Sequence, residues 1–153
     1  MMNLYKLHNS PEELAGDYKH LELYIPSAAY NTIAHHKGPK PLDRMAMDKL
    51  EAVIAKSANF SLKYAENILR HRFIPGETAI SKEAPSSYLY AKVILGSRFQ
   101  KGEDAIAEDT YYSYQYAVHI MKGRFEKGEA KIKGSTYWED YCAFINYQET
   151  HRK

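Results

Sequence analysis

The sequence contains one cysteine, Cys142, and no long apolar run. A single cysteine excludes a disulfide within the sequence and is typical of proteins kept in a reducing compartment. A membrane-spanning helix needs about 18 or more consecutive apolar residues, and no such segment occurs. The first residues also lack a basic stretch that leads into an apolar one, so we expect no secretory signal. These absences predict a soluble protein of the cytoplasm that does not associate with membranes.

The sequence also has no excess of one charge. Its 153 residues include 21 basic and 19 acidic side chains, and this balance neither requires a nucleic-acid partner nor resembles an acidic mimic of one. The glycines are scattered singly, and neither a Gly-x-Ser-x-Gly nor a Cys-x-x-Cys motif is present. We therefore predict one folded domain without enzymatic activity, cofactor or metal.

What the sequence does contain is a repeat with a period of 26 residues. Residues 61–82, 87–108 and 113–134 align without gaps, and nine of the 22 aligned positions are identical in all three. The identical residues are, in order, Ser, Tyr, Ala, Ile, Arg, Phe, Gly, Glu and Ile. A fixed period of this length is the signature of a repeat array, in which each unit packs mainly on its neighbours. Such arrays typically present a binding surface.

Each unit is predicted to form a helix, a tight corner and a second, shorter helix. In the first unit the helix follows Ser61, and residues 64, 65, 68 and 69 form its buried stripe. The corner ends at Gly76, which we expect to adopt a backbone conformation that other residues avoid. Glu77 opens the short helix, and Ile80 anchors it. The predicted fold is therefore all-α: a short α-solenoid-like stack of helix–corner–helix repeats.

The array is predicted to span residues 43–153, and residues 1–42 are predicted to form an N-terminal helical cap. In the cap, Ser10 and Ser27 are candidate N-terminal caps of helices that cover residues 10–24 and 28–36. Asp43 is the candidate cap of the helix that opens the array. At the other end the repeat decays, and Cys142 falls on the position that tyrosine holds in the complete units. Altered terminal units are expected where a stack meets water.

The repeated arginine and glutamate are the first candidates for function. They are five residues apart, across the corner, and two interpretations stay open. One is a structural ladder of ion pairs, and the other is a periodic anion site with one arginine per unit. The residues are Arg72, Glu77, Arg98, Glu103, Arg124 and Glu129. Residues that recur in every unit are those that stacking requires, so we favour the ladder.

The positions that vary between units are the candidates for binding. They make one face of the first helices basic and, toward the C-terminal units, aromatic. Such a face suits single-stranded nucleic acid, which is held by charge and base stacking, or an acidic protein, for which Tyr and Arg are typical anchors. A solvated face without a partner is the third interpretation. The candidate residues are Arg70, His71, Tyr88, Lys92, Tyr112, Tyr114, His119, Lys122 and Trp138.

The unit, with Tyr-Ala, an Ile three residues later, then Arg-Phe and Gly-Glu, resembles a short repeat of uncharacterised proteins of tailed bacteriophages. The resemblance covers residues 47–147. It implies a phage origin, and small accessory proteins of phages often bind a host protein and redirect or inhibit it. The leading prediction is therefore a non-enzymatic binding protein, a phage accessory factor that acts on a host or phage protein. The alternative is a nucleic-acid or nucleotide binder that uses the basic, tyrosine-rich face.

Overall fold

A computed structural model describes residues 26–38 and 40–151, and these residues form α-helices without any β-strand. The all-α prediction is therefore confirmed. The predicted helix over residues 10–24 lies outside the described residues, and the division of the chain at residue 42 stays a prediction. The α-helices are α1 (Pro26–Ala34), α2 (Arg44–Ile54), α3 (Ala58–Tyr64), α4 (Glu77–Ile80), α5 (Ala84–Leu89), α6 (Glu103–Ala107), α7 (Thr110–Tyr116), α8 (Glu126–Lys133) and α9 (Trp138–His151).

The first helix of each repeat does not end as an α-helix. It continues as a wider π-helical segment, at Ala65–Leu69 after α3, Tyr90–Leu95 after α5 and Ala117–Met121 after α7. Short 3₁₀ turns then lead into α4 and α6, at Ile74–Gly76 and Gln100–Gly102. Consecutive first helices contact each other, α3 on α5 and α5 on α7, and α6 packs on α8. The predicted order of helix, corner and short helix is thus present in all three units.

The corner follows a residue in the left-handed backbone conformation, and this residue is not the repeated glycine. The φ angles are 56° at Arg70, 60° at Gly96 and 49° at Lys122, which close the three π-helical segments. Gly76, in contrast, has a φ of −81°. The predicted reason for the repeated glycine was therefore wrong, because any residue can adopt that φ.

The repeated glycine is required for space. A Cβ atom added to Gly102 would lie 2.4 Å from the Ser87 hydroxyl oxygen and 2.7 Å from the Phe99 ring. Gly76 and Gly128 have the same surroundings in their units, facing Ser61 and Ser113. The corner backbone can therefore approach the first helix only where both facing residues are small.

Gly102→Ala is expected to lower the free energy of unfolding by about 2 kcal/mol, since the methyl group overfills a closed contact. Gly134→Ala is the matched control, because a Cβ atom there meets nothing within 4 Å and the φ of Gly134 is −91°. Urea unfolding of both variants measures the difference. Equal stabilities would contradict the close approach of corner and helix.

The repeated serine is also placed differently from the prediction, inside the first helix and not before it. Ser61, Ser87 and Ser113 are buried, and their hydroxyl groups donate to backbone carbonyls of the preceding short helix or its equivalent at 2.9–3.0 Å. The capping side chains are Ser57 and Asp109, which accept from the backbone N–H groups three residues on. The serine therefore ties one unit to the previous one.

The N-terminal predictions had mixed outcomes. The Asp43 carboxylate accepts from the backbone N–H of Ala46 at 2.7 Å, as the capping prediction requires. Helix α1 begins at Pro26, one residue before the predicted cap Ser27, and it ends at Ala34, two residues before the predicted end. Its Ala29 is fully buried, and α1 packs on α2 and α3. The second half of the predicted cap is thus in contact with the array.

The core consists of the repeated apolar residues. The tyrosine, alanine, phenylalanine and second isoleucine are buried in all three units, whereas Ile68 and Leu69 of the predicted stripe are half-buried. In each unit the tyrosine ring packs on the phenylalanine ring with centroids 5.0–5.1 Å apart. The buried set is Tyr64, Ala65, Phe73, Ile80, Tyr90, Ala91, Phe99, Ile106, Tyr116, Ala117, Phe125 and Ile132.

The decayed C-terminal unit is shifted by one residue relative to the prediction. Tyr141 is buried in the place of the repeated tyrosine, and Cys142 is half-buried beside it. The Tyr141 hydroxyl accepts from the backbone N–H of Phe125 and donates to Glu129. These are the hydrogen bonds that the repeated tyrosine makes in the complete units, so Tyr141 and not Cys142 is its equivalent.

Candidate functional site

Each repeated arginine is paired with the glutamate of its own unit. The Arg98 guanidinium donates to the two Glu103 carboxylate oxygens at 2.8 and 3.0 Å. Arg72 makes the same bidentate contact with Glu77, whose side chain is fully buried. In the third unit, Arg124 donates to Glu129 at 2.9 Å and also to Glu149. This geometry favours the structural ladder over a row of anion sites.

The tyrosine of the following unit completes each pair. The Tyr116 hydroxyl donates to Glu103 at 3.0 Å and accepts from the backbone N–H of Phe99 at 2.9 Å. Tyr90 makes the equivalent contacts with Glu77 and Phe73. One hydroxyl therefore connects the carboxylate and the corner of one unit to the first helix of the next.

Sequence reasoning missed this role of the tyrosine. The signal was present, because a tyrosine follows Glu51, Glu77 and Glu103 by 13 residues each time, and in all three pairs its hydroxyl donates to that glutamate. No buried side-chain nitrogen or oxygen in the described part of the chain lacks a hydrogen-bond partner. The repeated polar residues are thus engaged in contacts within and between units.

Burial and hydrogen bonds shift the pKa values of the buried tyrosines and of Glu77. Burial raises the pKa of the Tyr90 hydroxyl to about 12, and the Glu77 carboxylate acts in the same direction. Burial raises the pKa of Tyr141 to about 12 as well, and it raises the pKa values of Tyr64 and Tyr116. For Glu77, burial opposes ionisation, but the hydrogen bonds from Arg72 and Lys101 outweigh it and lower the pKa.

The raised tyrosine pKa values predict alkaline destabilisation. A tyrosine in the unfolded chain ionises near pH 10, whereas these folded ones keep their protons to higher pH. Their contribution is therefore complete below pH 10 and is lost as the pH rises toward 12, by up to about 1.4 kcal/mol per pH unit for each tyrosine. Urea unfolding between pH 8 and 12 measures this loss. Tyr90→Phe should reduce the slope, and an unchanged slope in this variant would contradict the prediction.

The candidate binding residues fall into two groups. Arg70, His71, Lys92, His119 and Lys122 are exposed. The aromatic candidates are covered to a larger extent: Tyr88 is buried, and the other three are half-buried, namely Tyr112, Tyr114 and Trp138.

The covered aromatic rings pack on one another. The centroids of Tyr88 and Tyr112 are 5.8 Å apart, and Tyr114 stacks on Tyr137 at 5.1 Å. Trp138 lies on the buried Tyr141 and takes no part in this cluster among the ring pairs of the described residues. The C-terminal shift gives Tyr137 the position that was predicted for Trp138. These rings are therefore mainly part of the packing between units.

Equivalent residues of the first helices form one surface, which we call the outer face. It comprises five positions per unit, spaced so that they lie on one side of a helix, and most of them are exposed. The fifteen residues are Asn59, Lys63, Glu66, Asn67, Arg70, Pro85, Leu89, Lys92, Val93, Gly96, Tyr111, Gln115, Val118, His119 and Lys122.

No family model, curated protein or solved structure matches this chain.

The outer face has an uneven charge. Its four basic residues are Lys63, Arg70, Lys92 and Lys122, and its one acidic residue is Glu66. On the side of the second helices, two lysines pair with acids of the neighbouring unit. Lys127 pairs with Asp104 at 2.6 Å, and Lys131 pairs with Glu108 at 2.9 Å. Basic residues thus outnumber acidic ones on the outer face.

An open cleft of about 330 Å³ lies between the corners of the second and third units. Arg98, Arg124 and Lys127 line it, but each of these cations is paired with a carboxylate.

Within residues 26–38 and 40–151, no group of three or more His, Cys, Asp or Glu side chains is placed to hold a metal ion. None of the described helices has the length and apolar character that crossing a membrane requires.

Proposed function

We propose that this chain is a short α-solenoid-like stack that acts as a non-enzymatic binding protein through its outer face. The observation that supports this most directly is that the positions identical in all units and the positions that vary between units have different surroundings. The repeated arginine, glutamate, tyrosine, serine and glycine are engaged in contacts between corner, helix and neighbouring unit. The outer face consists of positions that vary between units, and its basic residues outnumber its acidic ones four to one. In repeat arrays, variation on a shared scaffold is how a surface is adapted to a partner.

The resemblance to repeat proteins of tailed bacteriophages gives the proposal its biological setting. We propose that the protein acts in the bacterial cytoplasm as a phage accessory factor that modulates or inhibits a host protein. The balanced overall charge is compatible with this setting.

Nucleic-acid binding is less well supported by the site. Arg72, Arg98 and Arg124 are each paired with a glutamate, which offsets their positive charge and disfavours a row of phosphate contacts. Base stacking also requires accessible ring faces. Tyr88 is buried, and Tyr114 has one face covered by Tyr137.

Reversing two charges on the outer face tests the proposal. Lys92→Glu with Lys122→Glu should change the free energy of unfolding by less than about 1 kcal/mol, because both residues are at the surface. The same double variant should lose the partner that wild-type protein captures from bacterial lysate, identified by mass spectrometry.

The matched control is Lys82→Glu with Lys133→Glu, which changes the charge equally outside the outer face. Equal capture by wild type and both variants would mean that binding uses another surface. Capture that falls equally in both variants would indicate an effect of net charge alone. The salt dependence of binding to single-stranded oligo(dT) gives an independent check, since contacts to phosphates weaken steeply with ionic strength.

A further inference from the structure

We infer that the outer face binds an acidic protein segment that has an apolar side chain between two groups of carboxylates. This inference rests on the proposed binding role and adds the chemistry of the partner. It is carried by the apolar centre of the face, by the conformation of two flanking cations and by the spacing of the units.

The centre of the outer face is apolar. Leu89 and Val93 are 40% and 51% exposed, and they are four residues apart on the same side of the middle first helix. The equivalent positions are Lys63 and Asn67 in the first unit and Gln115 and His119 in the third. An exposed apolar pair surrounded by polar and basic side chains has the anatomy of a protein interface, with an apolar core and a polar rim.

A basic residue lies in the unit on each side of this centre, and its backbone has an unfavourable conformation. Arg70 and Lys122 adopt left-handed φ angles of 56° and 49°, and the middle unit has glycine at the equivalent position, with a φ of 60°. Glycine adopts this conformation without strain, whereas other residues do not. The side chains of Arg70 and Lys122 make no hydrogen bond or ion pair with any other described residue that would compensate the strain. Strained residues of this kind are concentrated at functional sites.

The spacing of the units sets the length of the partner. First helices of consecutive units are in contact, and packed helices have axes about 8–10 Å apart. Arg70 and Lys122 are two layers apart, so their separation is about 16–20 Å. An extended peptide covers this distance with about five or six residues, and a helix covers it with about 11–13. The apolar pair of the middle unit lies between the two cations.

The same pattern argues against a phosphate backbone as the occupant. A nucleic-acid strand has a charge at every nucleotide and favours a continuous row of cations. The position held by the cations Arg70 and Lys122 in the outer units is Gly96 in the middle unit, so these cations do not form a continuous row. The centre of the outer face is apolar. Lys92, the cation nearest to the centre in sequence, donates to the Tyr88 hydroxyl at 3.2 Å. An acidic segment with an apolar centre matches the arrangement better.

Three fluorescent probes separate the alternatives: a random copolymer of glutamate and leucine, poly-glutamate and single-stranded oligo(dT). Fluorescence anisotropy at low salt measures their affinities, and NMR amide shifts locate the contacts. We expect the copolymer to bind about tenfold more tightly than poly-glutamate and more tightly than oligo(dT). We expect its shifts to be concentrated in residues 59–70, 85–96 and 111–122.

Two variants test the two halves of the inference. Arg70→Gly with Lys122→Gly relieves the strain, so the protein should remain folded with an unchanged or higher Tm, yet copolymer binding should weaken about tenfold. Leu89→Lys with Val93→Asn introduces the residues of the first unit and should abolish the preference for the copolymer over poly-glutamate. Lys82→Gly with Lys133→Gly removes equal charge outside the outer face and should bind as wild type.

Equal binding of copolymer and poly-glutamate, tighter binding of oligo(dT), or full copolymer binding by the Arg70→Gly, Lys122→Gly variant would overturn the inference. These outcomes differ from a failure of the proposed function. If capture from lysate depends on the outer face but the copolymer shows no preference, the binding role stands and the acidic partner is wrong. If neither experiment depends on the outer face, both proposals fail.

Discussion

Replacing Phe99 by alanine is expected to lower the free energy of unfolding by about 3–5 kcal/mol, the cost of truncating a large core side chain. The ring is 2% exposed and packs edge-on against Tyr90, with centroids 5.1 Å apart. The ring also lies against the corner backbone at Gly102, which is already in close contact with Ser87. This backbone therefore cannot move far enough to fill the space that the lost ring would leave. Because the neighbouring groups are held by the Tyr116 and Glu103 hydrogen bonds, a cavity should remain.

The matched control for this prediction is Leu89→Ala, in the same unit. Leu89 is 40% exposed, so its truncation removes less buried area and should cost less than about 1 kcal/mol. Urea unfolding, followed by circular dichroism, compares the two variants. Similar losses of stability in both would show that Phe99 does not belong to a closed core.

The repeat made the core of this fold predictable, because like residues at a fixed spacing occupy like environments. The buried tyrosine, alanine, phenylalanine and isoleucine follow from that rule alone. The roles of serine and glycine do not, since Ser87 and Gly102 meet across two elements and no local rule links residues 15 apart. Likewise, arginine and lysine disfavour the left-handed conformation, so only Gly96 hinted at where the corner begins.

The sequence predicts some of the exposed residues of the outer face. The varying positions do include the exposed cations Arg70, Lys92 and Lys122. The sequence does not show that the aromatic candidates are covered, because tyrosines at adjacent positions of successive units pack on one another only in the folded protein. The exposure of the apolar pair Leu89 and Val93 does not follow from the sequence, since an apolar residue on a helix is expected to be buried until its neighbours in space are known.

Glu77→Gln is expected to lower the free energy of unfolding at neutral pH by about 3 kcal/mol. Arg72, Lys101 and Tyr90 all donate to this fully buried carboxylate. An amide offers one acceptor oxygen in place of two and directs a buried NH₂ group at two cations. The buried Tyr90 hydroxyl loses its charged acceptor and the buried NH₂ group has no acceptor, and each such group costs about 1–3 kcal/mol, whereas Arg72 and Lys101 are about half exposed and regain water. The matched control is Glu66→Gln, at an exposed glutamate of the outer face, which should change stability by less than about 0.5 kcal/mol.

Glu77→Gln should also change how the free energy of unfolding depends on pH in acidic solution. The pKa of Glu77 lies below its ordinary value of 4.5, so in mildly acidic solution the folded state binds fewer protons than the unfolded state. Its contribution is therefore complete above pH 4.5 and is lost as the pH falls through the lowered pKa of the folded state. Glu77→Gln removes that contribution, and its unfolding free energy should decline less steeply than that of wild type between about pH 5 and pH 2. Urea unfolding across this range compares wild type with both variants. If Glu77→Gln and Glu66→Gln follow the same acid profile, the buried carboxylate does not hold the units together.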